Sequence, residues 1–121
     1  MILVLTDMPE GTVGFEAVGE VTSDDYRDVL APALQRELDG GQVRLLCLLD
    51  DRFEGYSPGA WVQDAKMWLG HLGTWEKVAL VTDHEGIARA LDAFAWMMPG
   101  EARSFPVDQL DAAKTWVAAT D

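Results

Sequence analysis

Val43-Arg44-Leu45-Leu46-Cys47-Leu48-Leu49, followed at once by Asp50-Asp51, is the stretch that decides how this chain folds. Apolar apart from Arg44 and only seven residues long, it reads as a core strand. Lys77-Val78-Ala79-Leu80-Val81-Thr82 repeats the pattern. Between them, residues 57–72 place Trp61, Ala65, Trp68 and Leu72 at helical spacing. Ser57 is the cap of that helix and Pro58 sits in its first turn, where a missing N–H costs nothing. A strand, a helix and a strand in succession predict a right-handed crossover and a parallel sheet.

The same reading extends outward. Thr22 with Asp25 three residues on predicts a capping-box start to a helix over 22–38, closed by Gly40-Gly41. Pro32 lies inside it and predicts a kink near Asp28, whose carbonyl loses its donor. Residues 2–6 are an unbroken apolar run, expected to be a strand covered on both faces. Met8-Pro9-Glu10-Gly11 is a turn. Residues 12–20 then alternate, with Val13, Phe15 and Ala17 on one face and Glu16 on the other, which makes an antiparallel hairpin. Residues 50–56 read as a polar loop. Downstream, 83–98 is a helix with Ile87, Leu91, Phe94, Ala95 and Met98 inward, stopped by Pro99-Gly100. A short strand over 102–105 and a last helix capped by Asp108 complete the order ββαβαβαβα. The expected fold is a single α/β domain over 1–121 with a mixed, mostly parallel sheet.

Composition narrows the partners. The 121 residues carry 9 Lys plus Arg against 21 Asp plus Glu, a net charge of −12. Such a field repels polyanions, and the basic residues are scattered, so nucleic acid is excluded as a partner. One cysteine, Cys47, allows no internal disulfide and fits a reducing, cytoplasmic location. The apolar start lacks a basic n-region, and no run approaches the ~18 residues of a membrane span, so neither secretion nor integral membrane association is expected.

Chemistry has few footholds. Asp50, Asp51 and Glu54 follow one core strand; Asp83, His84 and Glu85 follow the next. Oxygen-only clusters suit a hard cation, and a strand-end aspartate can accept a phosphoryl group. The plainer reading outweighs this: loop residues and a helix start in a very acidic chain. His71, His84 and Cys47 show no zinc spacing, and no phosphate-binding or nucleophile motif occurs. No catalytic residue, metal or cofactor is expected, and Cys47 reads as a small core residue.

The tryptophans are the less ordinary feature: Trp61, Trp68, Trp75, Trp96 and Trp116. Trp61 and Trp68, seven apart with Ala65 between, share one helix face. As core they would simply cover the sheet. As a surface, Trp61, Ala65, Trp68 and Met98 would line an apolar pocket for a small lipid-like ligand, or a face for a second copy or another protein.

Phe53-Glu54-Gly55-Tyr56-Ser57-Pro58-Gly59-Ala60, then Asp64-Ala65-Lys66, Val78-Ala79-Leu80-Val81-Thr82-Asp83 and Phe94-Ala95-Trp96-Met97-Met98-Pro99-Gly100-Glu101-Ala102-Arg103-Ser104-Phe105 resemble the SpoIIAA-like family of small bacterial proteins. Thr22-Ser23-Asp24-Asp25-Tyr26 and the in-helix Pro32 extend the likeness nearly end to end. The resemblance implies the α/β arrangement of STAS and CRAL-TRIO domains. STAS anti-sigma-factor antagonists are switched by phosphorylation of a serine after a central strand; here that place reads Leu49-Asp50-Asp51-Arg52, with no serine until Ser57. CRAL-TRIO relatives hold apolar ligands.

The expected function is therefore a non-enzymatic binding module. Its leading form uses Trp61, Ala65, Trp68 and Met98 to hold an apolar ligand or a partner. The alternative is a STAS-like regulatory protein that docks through Asp50, Asp51, Glu54 and Ser57, with Ser57 as a phosphorylation candidate.

Overall fold

The computed structural model describes residues 1–38, 43–57, 59, 66, 75–96 and 100–119. Its elements are β1 (Ile2–Val4), β2 (Val13–Ala17), β3 (Gly19–Val21), α1 (Ser23–Asp25), a π-helical turn (Tyr26–Leu30), α2 (Ala31–Leu38), β4 (Val43–Leu49), β5 (Phe53–Tyr56), β6 (Trp75–Thr82), α3 (Glu85–Ala95), β7 (Glu101–Phe105), a 3₁₀ turn (Val107–Gln109) and α4 (Leu110–Ala118). Five strands form one sheet in the order β1-β2-β4-β6-β7, and β3 and β5 form a small second sheet. The β1–β2 pair is antiparallel and every other pair is parallel. The mixed, mostly parallel α/β fold is the one expected.

β4 is central, and its alternation builds both cores. Val43, Leu45 and Leu49 join Phe15, Val78, Leu80, Leu30 and Leu34, with Ile87 and Leu91 of α3 packed against them. Leu46 and Leu48 face the other way, onto Ala79, Val81, Phe105 and, from α4, Ala113 and Val117. A strand presents alternate residues to opposite faces, so a nearly continuous apolar run is what a doubly covered strand requires.

The polar residue in that run has a reason. Arg44 donates from Nη1 to the carbonyls of Val117 (3.2 Å) and Ala119 (2.7 Å), and pairs with Glu76. Lys77, buried, donates from Nζ to Trp116 O (3.1 Å) and Ala119 O (2.9 Å) and lies over the Trp116 ring. Two cations thus satisfy the carbonyls left over at the end of α4 and oppose its dipole.

Several local expectations change. Residues 2–6 are not covered on both faces: β1 is an edge strand, with Leu3 40% and Val4 46% exposed. The strand expected over 12–20 divides at Val18, because Gly19 takes φ +65°, and β3 leaves the main sheet to pair with β5. The expected loop over 50–56 contains that β5, whose Phe53 is buried. The Pro32 helix carries a π-helical turn in which Ala31 N–H reaches Tyr26 O. One extra residue in the turn relieves the clash that a proline makes with the carbonyl four residues back. Asp108 does not cap the last helix. Gln109 N–H bonds Pro106 O (2.9 Å) to close the 3₁₀ turn, so α4 starts later, with Gln109 at its cap position. The capping box at Thr22 is present on both sides, Asp25 N–H to Thr22 Oγ1 and Thr22 N–H to Asp25 Oδ2. Of the helix expected over 57–72, Ser57, which is not helical, and Gly59 and Lys66, which are, are described; the rest lies outside the described residues. Among the described residues, no helix is long and apolar enough to cross a membrane.

Candidate functional site

β2, β4 and β6 run parallel, so their carboxyl ends emerge along one edge. In open α/β sheets this edge is where ligands and partners are met, because loops diverge there and leave a crevice. The acidic strand ends do converge on it. Leu49, Asp50, Asp51, Asp83, His84 and Val107 line a cleft of about 170 Å³.

Most of these polar groups already serve the loops. Asp83 Oδ1 accepts from Val107 N–H at 3.1 Å, tying the end of β6 to the 3₁₀ turn. His84 N–H donates to Thr82 Oγ1 at 3.1 Å, and its ring stands edge-on to Phe53, centroids 5.9 Å apart. Asp50 Oδ1 accepts from Arg52 N–H at 3.1 Å. Among the described residues, no three His, Cys, Asp or Glu side chains come together as a metal site. The cleft is also smaller than the roughly 300–1,000 Å³ typical of small-molecule pockets.

A second cluster sits beside the cleft. Glu16 lies opposite Leu48 in the β2–β4 register and is 9% exposed. Arg52 reaches back from the β4–β5 turn to pair with it, and lies 3.6 Å from Asp50 Oδ2. Burial pushes the Glu16 carboxyl up, and the hydrogen bond and charge of Asp50 push it further, against Arg52. Burial would also raise Asp50, but the hydrogen bonds from Glu16 and from Arg52 N–H, with the Arg52 charge, hold it below the ordinary value. Gly19 N–H bonds Arg52 O (2.7 Å), Phe53 N–H bonds Asp50 O (3.1 Å) and Ser57 N–H bonds Val21 O (2.8 Å). The segment is thereby pinned to β3, while Asp51, Arg52 and Glu54 stay exposed.

The structure therefore brings Asp50 and Asp51 to one cleft, sets Glu54 on β5 and leaves Ser57 half-buried at its end. Glu16 and Arg52 were missed as site residues. The available signal was an acid in an otherwise apolar alternating strand, but its partner is 36 positions away. Trp61, Ala65, Trp68 and Met98 lie outside the described residues. Of the other tryptophans, Trp75 is 1% exposed and belongs to the core. Trp116 packs on Phe105, while Trp96 is 92% exposed. Cys47 is half-buried and packs against the core, as expected.

A family model described as SpoIIAA-like matches residues 12–118. This chain belongs to the SpoIIAA-like family. A crystal structure of an uncharacterised protein with a SpoIIAA-like fold from Shewanella loihica PV-4 is similar to it, with a TM-score of 0.73 and 27% identity. The similarity covers 97% of this chain and 93% of that one. No curated protein matches the chain. SpoIIAA-like membership and this fold support a regulatory or binding module, in a family that is generally non-enzymatic.

Proposed function

We propose that this SpoIIAA-like chain is a regulatory module that docks a protein partner through the segment from Asp50 to Ser57. One observation carries the reading. The segment is a strand paired to β3 and pinned by Glu16, Gly19 and Val21, yet it turns Asp51 and Glu54 to solvent. A preorganised surface loses less conformational freedom on binding than a loose loop does. The small, acid-lined cleft next to it suits polar side chains of a partner better than the body of a lipid. With a net charge of −12, the partner surface that fits is basic.

The test is affinity capture by wild type and by the double reversal Asp51→Lys/Glu54→Lys. A partner held by wild type should be lost from the variant, and lost at about 1 M salt, where the screening length falls to roughly 3 Å. Identical capture by both proteins defeats the reading. A phosphosite map without Ser57 removes only its phosphorylated form.

A second reading keeps Trp61, Ala65, Trp68 and Met98 as an apolar ligand or dimer face. It is favoured by Trp96, an indole left in solvent by a chain with no shortage of core. Native mass spectrometry should then show a bound lipid-like mass or a dimer, diminished in Trp61→Ala. A bare monomer counts against it.

A further inference from the structure

We propose that Glu16, Asp50 and Arg52 form a proton-responsive latch that clamps the β4–β5 turn onto β2. It concerns the isolated chain and stands whether or not the segment docks a partner.

Glu16 is fixed: β2 is hydrogen-bonded to β1 on one side and β4 on the other, and its carboxyl is buried. Arg52 sits in a short turn, its side chain 56% exposed and its guanidinium held by Glu16 and Asp50. Asp50 is the hinge between them, where β4 ends. The charged groups set against Glu16 among the described residues are these two. β1 contributes only Ile2, Leu3 and Val4. On the α4 face, Lys114 is taken by Asp7 at 2.7 Å. From β5, the Glu54 carboxylate lies near Gly19, on the small sheet.

With one proton on the Glu16–Asp50 pair, the pair carries a single negative charge, which Arg52 balances. When Glu16 releases that proton to solvent, two carboxylates face one guanidinium, and one of them is buried. Like charges sharing a poorly hydrated site repel strongly. Relief comes at the Glu16–Asp50 contact: Asp50, at the start of the turn, swings away, while Arg52 stays paired with the ionised Glu16. Asp50 also accepts from Arg52 N–H through its side chain and from Phe53 N–H through its carbonyl, so the swing loosens the turn that leads into β5 and its pairing with β3. The latch closes in acid and opens as pH rises. The raised Glu16 and lowered Asp50 carboxyls, each perturbed by the other, agree with one shared proton.

The test is a pH titration of the full chain by NMR, following side-chain carboxyl carbons and the backbone amides of Gly19, Arg52 and Phe53. The Glu16 midpoint should lie above the ordinary glutamate value, and the three amides should shift with that same midpoint. Their hydrogen exchange, corrected for its intrinsic pH dependence, should speed up above it. Glu16→Gln should remove that step from all three amides. Asp50→Asn, which keeps Glu16 buried but removes the facing charge, should lower the Glu16 midpoint. An ordinary Glu16 midpoint, or amides that ignore it, overturns the latch, as does an unchanged amide step in Glu16→Gln.

Discussion

The two ends of the parallel strands treat charge in opposite ways. At the amino end, Arg44 and Lys77 are mostly buried, and their donors go to Glu76 and to the carbonyls of Val117, Trp116 and Ala119. At the carboxyl end, among the described residues, Glu16 and Asp50 share the guanidinium of Arg52, Asp50, Asp51 and Asp83 line a cleft with His84, and Glu54 is exposed on β5 nearby. The first arrangement is balanced and shut, and it holds α4 to the sheet. The second is unbalanced and partly open. Proteins tolerate unbalanced charge where it is used, because elsewhere it only costs stability. The contrast supports the proposal that a partner docks at the carboxyl edge, while the paired charges of the amino edge hold α4 to the sheet.

That contrast can be broken at either end. The largest effect is expected from Lys77→Ala, which removes a buried side chain, one donor from each of two helix-terminal carbonyls and the ammonium over the Trp116 ring. Urea unfolding should show a loss of about 3 kcal/mol, while the carboxyl-edge amides keep their shifts. Gly19→Ala comes next. Its φ of +65° is costly for any residue with a Cβ, and the added atom would meet Glu54 Oε2 at 3.4 Å. A loss of about 1–2 kcal/mol is expected, with faster exchange at Arg52 and Phe53. A smaller, pH-dependent change should follow Glu16→Gln. Because the folded carboxyl of Glu16 is raised, its contribution is present below the ordinary glutamate value and is lost as pH rises through the folded one. Asp50 works in reverse: its contribution is present above the ordinary aspartate value and fades as pH falls through its lowered one. Denaturation midpoints across this range should decline with rising pH in wild type and flatten in Glu16→Gln. The least effect on stability belongs to Asp51→Lys/Glu54→Lys, within about 0.5 kcal/mol, since both side chains are exposed. A larger loss there would mean that these acids support the fold rather than a partner.

Legibility followed the range of the interactions. The capping box at Thr22 involves residues three apart, and it stands as read. The runs at β4 and β6 announce doubly covered strands, because burial on two faces leaves little room for polar residues. The β5 strand was hidden. Phe53-Glu54-Gly55-Tyr56 is short and contains a glycine, and only parallel pairing with β3 makes it a strand. Leu3 and Val4 misled in the other direction. An apolar run reads as enclosed, but a sheet edge has one neighbour and no layer above part of it.

Hydrophobic periodicity and turn chemistry are local, so the α/β alternation, the hairpin and the capped helix start at Thr22 could be read from the chain alone. Charge pairing across the sheet is not local. Which acid is buried, which arginine returns to it and which carboxylates meet at one edge depend on strand order and register. Those are settled only when β2, β4 and β6 lie side by side, for packing then brings together residues that the backbone keeps more than thirty positions apart.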